Sequence, residues 1–112
     1  MRQPDDDVLL RDMRDFAVKA VAATRLRQRH DLDSDDVFAA AMERFIEVIG
    51  EAASKVSDAT REELPAIPWH EVVGMRNRLV HGYASVDHDV VWAVITADLP
   101  ALVAALDAAT EG

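Results

Sequence analysis

The sequence contains no cysteine, four glycines, four prolines and one tyrosine in 112 residues, and aromatic side chains make up 5% of it. Without cysteine there are no disulfides, no thiolate nucleophile and no cysteine-based metal site. Glycines this sparse leave no phosphate-cradling P-loop. So little glycine and proline also excludes a collagenous or low-complexity chain. Basic residues are in short supply: 12 Lys and Arg stand against 21 Asp and Glu, for a net charge of -9. That argues against nonspecific coating of nucleic acid, which relies on Lys and Arg to neutralise phosphates. No apolar run approaches the ~20 residues of a membrane helix. The first residues, Met1-Arg2-Gln3-Pro4-Asp5-Asp6-Asp7, lack the apolar core of a signal peptide. A cytoplasmic protein without a membrane partner is the expectation.

What the chain does have is apolar bulk, half of its residues, diluted by 19 alanines. A chain of this mass buries roughly two thirds of its unfolded surface, enough for one core. No repeat or linker interrupts it, so residues 1-112 are read as one domain.

The charges are not evenly spread. Arg11 to His30 holds six basic residues against Asp12 and Asp15, whereas Asp31 to Leu64 holds ten acids against three bases. Arg25, Arg27 and Arg29 read as a solvated helix end whose cations offset the macrodipole. RNA steering is their other possible use.

The dominant period is helical. Leu9, Met13, Phe16 and Ala20 predict one apolar stripe on a helix over 5-29, with Asp5, Asp6 and Asp7 at its positive end. His30 to Asp33 reads as a loop. Ser34 reads as the N-cap of a second helix to Ser57, with Phe38, Ala41, Phe45, Val48 and Ala52 as its stripe. Gly50 inside that helix costs helicity and suits close approach of another backbone. A short helical turn fits 58-63. Pro68 suits the first position of the next helix, whose apolar side is Trp69, Val72, Val73, Leu79 and Val80, and Gly82 suits its end. Asp87 reads as the N-cap of a last helix, which Pro100 must kink or restart, with Asp98 as a cap for the restarted piece. Val90 to Ile95 is the only β-like run and lacks hairpin signals. The fold expected is all-α: an up-and-down bundle of four to five helices.

One string concentrates chemistry: Arg76-Asn77-Arg78-Leu79-Val80-His81-Gly82-Tyr83. A guanidinium fork matches phosphate oxygens. An imidazole exchanges protons near neutral pH. The pair is a minimal set for cleaving RNA without metal: His81 as general acid or base, and Arg76 offsetting charge on the phosphate. On a continuous helix Arg76 and Tyr83 lie within about 20° of each other, but His81 lies roughly 140° away. Either the helix ends near Val80 and Gly82 turns the chain, or two copies face each other and pool their residues. Read singly, Arg76 and Arg78 are exposed helix residues, His81 is a helix-end cation and Tyr83 packs on the bundle.

Elsewhere, Asp87-His88-Asp89 reads as capping and solvated rather than metal-binding. His70-Glu71 lacks the second histidine of a zincin, although His70 sits near enough to Arg76 in sequence to assist. Trp69 and Trp92 read as core or dimer anchors.

The string resembles the R-x-x-x-x-H-x-Y signature of the HEPN superfamily. Phe45 to Ala53, Ile67-Pro68-Trp69, Val73 to Asn77, Val90-Val91-Trp92 and Asp98-Leu99-Pro100 resemble its HepT-like branch, and the likeness runs over about 8-106. The resemblance implies a homodimeric HEPN-like bundle. It implies a type II toxin that is a metal-independent endoribonuclease, with no cofactor. Its partners would be RNA and an MntA-type nucleotidyltransferase antitoxin. Carried over by position, Arg76 and His81 are the catalytic pair. Asn77 orients its neighbours or the phosphate, Arg78 adds RNA affinity, and Tyr83 is the acceptor of AMP from the antitoxin. The acidic balance departs from what an RNA-cutting protein usually shows. The alternative is a non-catalytic module, a nucleotide-binding or regulatory partner of a minimal nucleotidyltransferase in which Arg76 holds ATP or AMP.

Overall fold

The computed structural model describes residues 4-80 and 85-111. His81, Gly82 and Tyr83 lie outside the described residues. The chain is helical, as its periodicity predicts. It comprises α1 (Pro4–Ala23), α2 (Asp31–Ser34), α3 (Asp36–Lys55), α4 (Asp58–Glu63), α5 (Trp69–Val73), α6 (Met75–Leu79), α7 (His88–Ala93), a π-helical turn (Val94–Asp98) and α8 (Leu99–Glu111). Among the described residues the only extended pairing is a single antiparallel bridge, Val80 to Val86.

The two 20-residue helices, α1 and α3, form the spine. They run antiparallel, since Asp6 meets Ser57 just past the end of α3 while Phe16 meets Phe45. The buried face of α1 is Asp6, Leu10, Met13, Ala17 and Ala20. The expected stripe is therefore rotated: Met13 and Ala20 are core, while Leu9 and Phe16 sit half-buried at its edge. Phe16 and Phe45 pack there with ring centroids 6.0 Å apart.

Asp6 is not simply an acid at a positive helix end. It is 3% exposed. Its carboxylate accepts hydrogen bonds from the Ser57 backbone N–H (3.1 Å), the Ser57 hydroxyl (2.6 Å) and the Thr60 hydroxyl (2.7 Å). A buried carboxylate is tolerable because donors replace its hydration. Ser57 also caps α4 at the Thr60 N–H, so Asp6 ties the start of α1 to the turn between α3 and α4.

α1 stops at Ala23 rather than near Arg29. The Thr24 hydroxyl bonds the Val21 carbonyl, and the chain leaves in tight turns. Arg27 and Arg29 are therefore not solvated helix-end cations. Arg27 donates to Asp35 at 2.7 Å and stacks over the Phe38 ring at 4.1 Å. Arg29 bridges Asp33 (2.8 Å) and Asp89 (2.6 Å). His88 completes this clasp through Nδ1 on Asp33 at 2.8 Å. The His88 and Arg29 hydrogen bonds hold the Asp33 carboxyl below the usual range, and those of Arg27 and the Phe38 N–H do the same for Asp35. Arg27 and Arg29 thus fasten α2 to α3 and α7.

The N-cap of α3 is Asp35, not Ser34, and its carboxylate accepts from the Phe38 N–H at 3.0 Å. Ser34 instead closes the short helix α2 where a loop is expected. Gly50 does admit a neighbour. A Cβ there would stand 3.4 Å from the Val72 carbonyl and 3.5 Å from that of Val73. Those are ordinary contacts, so the clearance is one methyl. Gly50→Ala is expected to fold normally and to gain up to about 1 kcal/mol from helix propensity. Gly50→Leu must push α5 off α3 and lose about 1–3 kcal/mol to overpacking. Chemical unfolding of the two variants checks this.

The helix expected over 68-80 is broken in two at Gly74, whose N–H bonds the His70 carbonyl while α6 starts anew at Met75. Pro68 stands one place before the first helical residue. Asp87 caps α7 as expected, accepting from the N–H groups of Asp89 and Val90. The regular helix is interrupted just before Pro100, as expected: the turn widens, with the Leu99 N–H reaching back five residues to the Val94 carbonyl, and α8 starts at Leu99. Asp98 is thus inside the helical run and is not a cap. The whole arm His88–Ala109 is, by length and composition, apolar enough to cross a membrane, contrary to expectation. Its Val91, Val94, Ile95, Leu99, Leu102 and Leu106 are buried against the other helices, which makes it the central core strut. Its alanines account for the apolar composition on the remaining faces.

Candidate functional site

α6 carries the first half of the chemical string. It is short because Gly74 starts it and Val80 ends it in an extended conformation (φ -81°, ψ 128°). Met75 and Leu79 bury one side and leave Arg76, Asn77 and Arg78 exposed. The helix therefore ends near Val80, the first of the two geometries that could bring His81 round. Val80 bridges Val86, and the Asp87 N–H donates to the Leu79 carbonyl at 2.7 Å. Both flanks of the segment holding His81 and Tyr83 are thereby fastened to each other.

Arg76 and Asn77 share a groove of about 160 Å³ with Glu47, Gly50, Glu51, Ser54 and Val73. The groove exists because Gly50 lets α5 lie close on α3. Arg76 is 60% exposed, and its Nε stands 3.7 Å from a Glu47 carboxylate oxygen. Glu47 is itself gripped by Arg44 at 2.8 Å, one turn earlier on α3. Such a groove can take one phosphate with its adjoining sugar or base edge. Arg76 would supply charge and Asn77 an amide.

Arg78 does not join this groove. Two residues along a helix is about 200°, and Arg78 donates to Asp98 at 3.1 Å on the opposite side. There it lines a larger groove of about 590 Å³ with Pro68, Met75 and Leu102. His70 is exposed. Trp69 is half-buried, its Nε1 donating to the Leu64 carbonyl at 3.1 Å with Arg61 over the ring, so it acts as a core anchor. Asp87, His88 and Asp89 use their side chains for the cap and the clasp described above. Among the described residues no group of three or more His, Asp or Glu is placed to hold a metal.

Glu47 and Glu51 fall in the Phe45 to Ala53 string that resembles the HepT-like branch, but neither they nor Ser54 carry a chemical signal of a site. Arg44 and Glu47 look like a solvated helix pair, and only Gly50 hints that something docks there.

Comparisons with known proteins find relatives named as ribonucleases. A provisionally named RNase of Methanocaldococcus jannaschii is 30% identical over 100 residues, covering 89% of this chain and 92% of that one. A second from the same organism is 31% identical over 100 residues, covering 89% and 83%. A probable ribonuclease HepT of Thermococcus cleftensis is 39% identical over 59 residues, covering 53% and 54%. No solved structure matches the chain. The HepT-like ribonuclease profile matches residues 9–109, across both long helices, α6 and the C-terminal arm, and by that match the chain belongs to the HepT-like ribonuclease family.

Proposed function

We propose that this HepT-like ribonuclease is a metal-independent endoribonuclease in which Arg76 binds the scissile phosphate and His81 moves the proton. The observation that carries the reading is the Arg76–Asn77 groove. It presents an exposed guanidinium and an amide at the last turn of α6, five residues before an imidazole that follows the helix end. In the reaction, His81 takes the proton of a ribose 2′-hydroxyl or gives one to the leaving oxygen. Arg76 offsets the charge that builds on the phosphate oxygens. Asn77 orients the phosphate. Arg78, fixed to Asp98, lends charge from the other face.

The active form is a homodimer. A shallow groove on a chain this small does not enclose a substrate alone. Val80, 45% exposed and next to His81 in sequence, and half-buried Phe45 and Val48 on α3 give a second copy apolar surface to cover. The protein serves as the toxin of a type II pair, held in check by an MntA-type nucleotidyltransferase. Transfer of AMP to Tyr83, two residues from His81, would place a bulky anion where the substrate phosphate binds.

The test is to incubate the purified protein with RNA in excess chelator. Cleavage is expected, and it should fall steeply in both Arg76→Ala and His81→Ala. ATP or AMP binding without cleavage would instead favour the non-catalytic module.

A further inference from the structure

We propose that Glu47 is a positioning residue for Arg76, holding the Nε side of the guanidinium so that its terminal nitrogens stay open toward the groove. This rests on the reading of Arg76 as the phosphate-binding group.

The geometry is asymmetric. Arg76 is 60% exposed while Glu47 is 33% exposed. Glu47 stands on α3, the longer and better-buried partner, and Arg44 fixes its carboxylate at 2.8 Å. The carboxylate, on the long helix α3 and less exposed, is therefore the better-held of the two groups, and the long arginine stem is the part that needs fixing. The Glu47 oxygen faces Nε at 3.7 Å, beyond hydrogen-bond length, so the attraction is coulombic and no directional bond must break when substrate arrives. Arginine carries five N–H donors in a rigid fork. With Nε turned to the carboxylate, the paired terminal N–H groups can meet two oxygens of one phosphate. Among the described residues Arg76 has no other ion-pair partner.

The same negative charge opposes the approach of RNA. Glu47 therefore lowers ground-state affinity while it improves the geometry of reaction. Those two effects move in opposite directions when the charge is removed, and loss of a purely structural residue has no such signature.

The experiment measures cleavage of a short RNA and binding of its uncleavable 2′-deoxy analogue, with Glu47→Gln, Arg76→Ala, the double variant and Glu62→Gln. Glu62 is exposed on α4 and controls for net charge. Glu47→Gln is expected to lower kcat roughly ten- to hundredfold, with analogue binding unchanged or tighter. In the Arg76→Ala background it should cost nothing further, because the two residues act as one unit. Three results would overturn the proposal. In the first, Glu47→Gln keeps parental kcat while Arg76→Ala is inactive. In the second, its kcat falls only as far as a lowered melting midpoint explains, with binding weakened in step. In the third, Arg76→Ala cleaves like the parent, which removes the reading of Arg76 and this proposal with it.

Discussion

Replacing His81 with alanine is expected to slow RNA cleavage by about 10² to 10⁴, the range over which a positioned acid or base assists proton transfer. The loss should fall on kcat, because an imidazole that moves a proton acts in the transition state and contributes little to holding RNA. Binding of an uncleavable analogue should stay near parental, since the proposed reading assigns the phosphate to Arg76 and Asn77. The fold should also survive. The segment is fastened by the Val80–Val86 bridge and the Asp87–Leu79 hydrogen bond, which are backbone contacts that no side chain at position 81 supplies. Arg76→Lys offers a companion measurement. It keeps the charge but loses the planar fork, so it should recover only part of the activity lost in Arg76→Ala. Parental turnover by folded His81→Ala, in chelator, would remove the histidine from the mechanism.

The second large effect is on stability. Asp6→Ala removes the acceptor of three hydrogen bonds and leaves the Thr60 hydroxyl, 1% exposed, without that partner. Hydrogen bonds to a charged group are worth about 1.5–3 kcal/mol each, but removing a buried carboxylate also relieves its desolvation cost. A net loss on the order of 3 kcal/mol is therefore expected. At roughly 4–8 °C per kcal/mol for a domain near this size, the melting midpoint should fall by more than 10 °C. Asp5→Ala is the comparison. Asp5 is exposed at the same helix end, where its interaction with the dipole is worth only about 0.3–1 kcal/mol. Equal losses in the two variants would show that the buried network contributes little.

That contrast marks where the sequence is silent. Three consecutive aspartates before an apolar stripe look alike. Asp6 differs from its neighbours only because Ser57 and Thr60, more than fifty positions away, fold onto it. The helices themselves are legible, since spacing of three and four appears in every long segment and Asp87 signals its cap by type and place. The phase of α1 is less so. Leu9 and Leu10 are equally apolar, and packing against α3 and the C-terminal arm decides that Leu10 goes inside. The break at Gly74 is hidden too, because a single glycine between Val73 and Met75 fits a continuous helix as well as a broken one. In the groove, Arg76 and Asn77 stand out by chemistry, whereas Glu47 is chemically ordinary and lines the groove only because Gly50 lets α5 lie close beside it. Arg78, their neighbour in sequence, faces Asp98 because helical geometry separates adjacent residues.

The widened turn at Val94–Asp98 has an evolutionary consequence. It accommodates one more residue than a regular turn would over the same rise. A homologue one residue shorter at this point could adopt an ordinary α-helix and still send Leu102 and Leu106 to the same interior positions. Insertions and deletions are normally confined to surface loops, yet this buried strut can absorb a change of one residue in its middle, and length differences among homologues should collect there.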